Sequence, residues 1–345
     1  MRRHLILPFL LVLTLLSACQ PTPLQEQQAY VFGTRVEVIV VSPDAELGRK
    51  AIATVLREFD RLHQHFHAWQ PSELSDLNSA IAAGRPQQVS PELSKLIKES
   101  QSISQQGNYL FDPGIGQLIK LWGFQADEFK AALPDQESLD SLRKLHPSIA
   151  DLSIDGNTIH SKNKAVALDF GGYLKGVALD RAASILHSQG IHNALINIGG
   201  NVMALGSKSG KKWRVGIQHP RQSGVLASIE LDDGEAIGTS GDYQRYFELD
   251  KQRYPHLIDP RSALPVDHTQ AITVVIPKGE KAGTLSDALS KPLFIAGPNE
   301  WREMARKLDI GLVLRVDRNN QLQVTQAMHE RLAYSGTAEK PEIFP

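Results

Sequence analysis

The chain has 345 residues, in which 37 Lys and Arg balance 38 Asp and Glu to a formal net charge of −1. The two signs are interspersed without a basic stripe, which argues against nucleic acid as a partner. Cys19 is the only cysteine, so an intrachain disulfide is excluded, and past the amino terminus no long apolar run argues for a membrane span.

The amino terminus reads "MRRHLILPFLLVLTLLSAC", with two arginines, an apolar run and small residues ending at Cys19. This is the pattern of a secretory leader over residues 1–18. The Leu-Ser-Ala-Cys ending resembles a bacterial lipobox, which predicts lipidation of Cys19 and attachment to a membrane. Polar, proline-bearing residues 19–27 predict a short tether, and residues 28–345 a single domain.

From there "AYVFGTRVEVIVVS" alternates and is rich in valine, which predicts an opening strand. Ser42-Pro43-Asp44 predicts a helix start with proline at the first helical position, and Ile52, Val55, Leu56, Phe59, Leu62 and Phe66 follow at helical spacing. Ser90-Pro91-Glu92 predicts the next helix, with Leu93, Leu96, Ile97 and Ile103 on one face. Asp155-Gly156 predicts a hairpin turn. A helix over 174–188 closed by Gly190, short strands from Ala194 to Phe247, a helix in "PNEWREMARKL" and a closing hairpin through Asn319-Asn320 complete the reading. Helices and hairpins alternate without a strand-helix-strand rhythm. The expected fold class is therefore α+β, with largely antiparallel sheets, packed helices and two interlocked lobes.

Four clusters carry possible chemistry. "LFDPGIGQLIKLWGF" (110–124) is either a tight loop whose amides approach an anion or a turn before a core helix. "LDFGGYLKGVALD" (168–180) places Asp169, Gly171 and Gly172 before a helix start bearing Lys175, which is either a phosphate site or a plain connection. Asp180, farther along that helix, reads equally as a solvated residue. "NIGGNVMALG" (197–206) is first of all a hairpin. "GTSGDYQRYFELDKQRYPHLIDPRSALP" (238–265) gathers Thr239, Ser240 and His256, whose imidazole suits proton transfer but is equally a structural residue.

In this order, together with "FGT" at 32–34, "SELSDLN" at 72–78 and "SDALS" at 286–290, these clusters resemble the FAD:protein FMN transferases of the ApbE family. The resemblance implies a transferase that takes FAD as substrate, moves FMN to a Thr or Ser hydroxyl of a partner protein, releases AMP and uses Mg2+. It implies flavin and nucleotide contacts at Phe32, Trp69, Leu110, Phe111, Asp112, Asp169, Lys175, Thr239 and Ser240. It also implies catalysis at His256 and Asp287, metal contacts at Gly172 and Asp287, and a location on a bacterial membrane facing the periplasm.

Three positions depart from the family pattern. Gly114 stands where threonine is usual, and Ser262-Ala263 where threonine and glycine are usual. Lys291 stands four residues after Asp287, where a threonine oxygen is expected. A protonated amine has no lone pair for a metal. Either water and Ser290 complete a weaker magnesium site, or the lysine charge itself takes the place of the metal. Two other functions therefore stand beside transfer: an FAD-binding lipoprotein without activity, and a metal-dependent FAD pyrophosphatase.

Overall fold

The structure is a computed structural model that describes residues 23–126, 128–336 and 340–345. The leader and Cys19 lie outside the described residues. The frame is a nine-stranded sheet whose strands lie side by side in chain order: β1 (Leu24–Val31), β2 (Thr34–Val41), β3 (Ala194–Ile198), β4 (Asn201–Leu205), β5 (Ala236–Gly241), β6 (Thr269–Ile276), β7 (Val313–Asp317), β8 (Leu322–Thr325) and β9 (Glu342–Phe344). Every neighbouring pair is antiparallel except β8 and β9. The opening strand is a hairpin rather than one strand, because Phe32 and Gly33 both take positive φ (56° and 67°) and reverse the chain in two residues. β1 begins at Leu24, so the sheet already includes the end of the stretch read as a tether.

Period-two alternation distributes side chains to the two faces. Val36, Val38 and Val40 join Ala194, Ile196 and Ile198 in a core under the helices. Val41, Val202, Ala204, Val275 and Val316 face the other way, against a small antiparallel sheet built from 213–218, 225–231 and 332–334.

The helices are α1 (Ala45–His65), α2 (Glu73–Ala82), α3 (Pro91–Gln106), α4 (Gly116–Leu121), α5 (Gln136–Leu145), α6 (Leu174–Ser188), α7 (Ala282–Ala296), α8 (Trp301–Lys307) and α9 (Gln326–Arg331). α1 starts after Asp44, whose carboxylate accepts from the amides of Glu46 and Leu47, so Pro43 precedes the cap instead of opening the helix. α3 opens as expected, with Ser90 as cap and Pro91 at the first position. α2 has no counterpart in the sequence reading. Its capping box is the less usual Ser72–Ser75 pair, and Glu73 reaches out to Ser90 instead of capping. The Asp155-Gly156 and Asn319-Asn320 hairpins and the 174–188 helix stand where the sequence predicts them.

α6 and α7 cross at close range. A Cβ on Gly176 would lie 2.5 Å from the carbonyl oxygen of Gly283 and 2.8 Å from Cβ of Asp287. A third core, with Trp122, Phe124, Phe247 and Ile258, forms a side lobe from two segments far apart in the chain, tied by the Trp122 indole donating to the carbonyl of Ala263 at 2.9 Å.

Candidate functional site

Where the side lobe meets the helical face of the sheet lies a cavity of about 400 Å3. One wall is the Phe32-Gly33 turn with the end of α1 and residues 66–70. The loops 110–115 and 169–175 form a second, and β5 with Arg245 and His256 a third. Lys291 and Ile295 of α7 provide the floor.

The mouth is aromatic. The left-handed backbone at Phe32 aims its ring at Phe59 and His63, with centroids 6.0 and 5.6 Å away. The run continues from His63 to His67 at 4.9 Å and to Trp69 at 4.6 Å. Trp69 remains 39% exposed, so a planar ring can still stack on it.

The two glycine-bearing loops are held from within. Asp112 accepts from the amides of Gly114 at 2.7 Å and Ile149 at 2.8 Å and from the hydroxyl of Ser148. Burial pushes its carboxyl up to about 6 against these bonds. Asp112 thus lines the cavity as the organiser of the loop, not as a free ligand group. A Cβ on Gly114 would sit 2.3 Å from the amide nitrogen of Ile149, which accounts for glycine at this departure from the family pattern. Asp169 accepts from the amide of Gly171 at 2.9 Å, and Asn78 clamps both backbone groups of Leu168, at 2.9 and 2.6 Å.

The floor is cationic. Lys175, Arg245 and Lys291 all line the cavity. Burial, reinforced by the charges of Lys291 and Arg245, pushes the Lys175 ammonium down, with Asp287 opposing. Burial and then the Arg245 charge push the His256 imidazole down to about 3, so it is neutral at working pH. Its Nδ1 lies 3.1 Å from the carbonyl of Arg245; donation there leaves the proton off Nε2.

Asp287 and Ser290 do not line the cavity. Asp287 is 0% exposed, and its Oδ2 accepts from the Gly176 amide at 3.0 Å while Oδ1 accepts from Lys291 Nζ. Lys291 Nζ also donates to the main-chain carbonyl of Asp287 at 2.7 Å. Burial drives the Asp287 carboxyl up, but Lys291 and Lys175 together with the Gly176 amide hold it below the usual range. Ser290 lies beneath Ser240, with hydroxyls 2.7 Å apart, and Thr239 pairs with Thr273 at 2.9 Å.

The ApbE family model matches residues 32–314. The chain belongs to the ApbE family. An FAD:protein FMN transferase from Rhodobacter capsulatus is 38% identical over 312 residues, which are 90% of this chain and 59% of that protein, so the chain spans less than two thirds of that relative's length. The Vibrio cholerae FAD:protein FMN transferase is 30% identical over 88% of this chain and 91% of its own length. Among solved structures, the ApbE protein of Thermotoga maritima has a TM-score of 0.81 at 28% identity, covering 90% of this chain and 99% of its own. The flavin transferase ApbE from Vibrio cholerae follows at 0.77 and 25%, covering 90% and 100%.

In this ApbE-family chain the residues expected at Phe32, Trp69, Leu110, Phe111, Asp112, Asp169, Gly172, Lys175, Thr239, Ser240, His256 and Lys291 converge on one cavity. The sequence reading missed Arg245, Asn78, His63 and His67. It also missed the role of Asp180, which accepts from the amides of Gly283 and Thr284 at 2.8 Å each and from the Thr284 hydroxyl at 2.6 Å, capping α7 from α6. His63 and His67 have partners within a few residues, in each other and in Trp69, whereas Asn78, Asp180 and Arg245 depend on distant ones.

The donor set expected for magnesium at Asp287, Ser290 and Gly172 does not fit that ion as folded. Magnesium requires oxygen ligands at about 2.0–2.1 Å in octahedral array. Here an ammonium holds one carboxylate oxygen and the main-chain oxygen of Asp287, an amide holds the other, and Ser290 bonds Ser240. Among the described residues no group of three or more His, Cys, Asp or Glu is arranged around a common point for a metal.

Proposed function

We propose that this protein transfers FMN from FAD to a threonine or serine hydroxyl of a partner protein, releasing AMP. The observation that carries the reading is a single cavity with an aromatic mouth and a cationic floor, which matches the flat flavin at one end of the substrate and the diphosphate at its centre. The acceptor oxygen attacks the FMN phosphorus, the bond to the bridging oxygen breaks, and AMP departs with that oxygen. The hydroxyl proton passes to Nε2 of His256. A bound diphosphate anion beside the imidazole raises its affinity for that proton. Positioning and charge neutralisation supply most of the rate in such a displacement.

The test incubates the full chain with FAD and a flavin-acceptor domain and follows covalent flavin and AMP. Covalent flavin with equal AMP is expected. AMP without covalent flavin identifies a pyrophosphatase, and FAD binding without either product identifies a flavin-binding lipoprotein.

The amino-terminal pattern supports a lipid anchor on Cys19 and a domain facing the periplasm from a bacterial membrane, the inner one being the reading adopted. Replacing Cys19 by serine is expected to move the protein from the membrane to the soluble fraction.

A further inference from the structure

We propose that Lys291 is the built-in cation of this site: its ammonium, anchored by buried Asp287, neutralises the FAD diphosphate in place of a divalent metal. The inference rests on the FAD reading above. Three observations support it.

The first is position. Lys291 is the residue of α7 that carries charge into the cavity, and its side chain is only 12% exposed. It is boxed in by the glycine loop, since a Cβ on Gly172 would lie 2.9 Å from its Cε. The second is anchorage. Nζ donates to a side-chain and a main-chain oxygen of Asp287, leaving one of its three N–H groups for a ligand. The third is charge. Lys175 and Lys291 both act on the buried Asp287 carboxylate, and Lys175, Lys291 and Arg245 all line the cavity, so basic groups stand where a diphosphate would lie. The FAD diphosphate carries two negative charges.

Asp287 thereby changes task. In place of ligating a metal it orients an ammonium, which accounts for a fully buried carboxylate that does not line the cavity.

The test titrates the full chain with FAD calorimetrically, in EDTA and in excess magnesium, for wild type, Lys291→Thr and Lys291→Arg. Wild type is expected to bind FAD equally well under both conditions, within about twofold. Lys291→Thr, which empties the ammonium position, is expected to lose about tenfold or more in EDTA and to recover with magnesium. Lys291→Arg, which keeps the charge, is expected to bind FAD in EDTA. If Lys291→Thr stays weak in both conditions while Lys291→Arg binds, the charge assignment holds. The proposal is overturned if wild type needs magnesium to bind FAD, if Lys291→Thr binds in EDTA as wild type does, or if Lys291→Arg unfolds at the wild-type temperature yet does not bind. No FAD binding by wild type under either condition would instead overturn the flavin reading, and this inference with it.

Discussion

His256 shows how far one environment moves one side chain. Its folded value near 3 lies below the ordinary 6.5, so the imidazole contributes stability that is present above about pH 6.5 and is lost as pH falls toward 3. Without ligand, its NMR resonances are expected to show no titration between pH 7 and 5, and the stability of wild type relative to His256→Gln is expected to fall over the same range. With FAD bound, the midpoint moves upward; a midpoint near 6.5 in the free protein would contradict the assignment. Asp180 gives a second residue-scale prediction. It satisfies two amides and one hydroxyl at the start of α7, a helix whose own cap residue, Lys281, provides no side-chain bond. Asp180→Ala is expected to cost about 2 kcal/mol in chemical denaturation.

At the scale of elements, α7 is the part on which the site depends. It delivers Lys291 to the floor and Asp287 beneath it, and it can do so only because α6 approaches closely at Gly176. Gly176→Ala is expected to destabilise the fold by about 1–3 kcal/mol through overpacking. Because the Gly176 amide also holds Asp287, the same change is expected to weaken FAD binding, measured by flavin fluorescence, more than an equally destabilising change in the distant small sheet. Individual elements were largely legible. Valine alternation in β2, the Ser90-Pro91 start of α3 and the Asp155-Gly156 turn each rest on contacts within a few residues, which the sequence displays directly. α2 was not legible, because Ser75 stands where a capping box usually has glutamate or glutamine and Glu73 is engaged with another helix.

For the whole molecule, the cavity joins the sheet-and-helix body to the side lobe, so a ligand filling it must couple the two. FAD at about 100 times its Kd is expected to raise the unfolding free energy by about 2.7 kcal/mol, read as an upward shift of the thermal midpoint. Two separate transitions, only one of them moved by FAD, would show that the lobes are not coupled. The sequence by itself determined the Asp155-Gly156 and Asn319-Asn320 hairpins, most helices, the ordered glycine loops and the family pattern with its lysine at 291. Each of these follows from residue type and short spacing. Only the tertiary structure decided that Lys291 is seated on Asp287 facing the cavity, that Asp112 holds a loop together, that Asp180 caps α7, and that Arg245 reaches the carbonyl of Phe124 beside the cavity. The physical reason is distance along the chain. The Gly176–Asp287 bond spans 111 residues, Asp180–Gly283 spans 103 and Arg245–Phe124 spans 121, and no local pattern encodes which distant backbone group a polar side chain will meet.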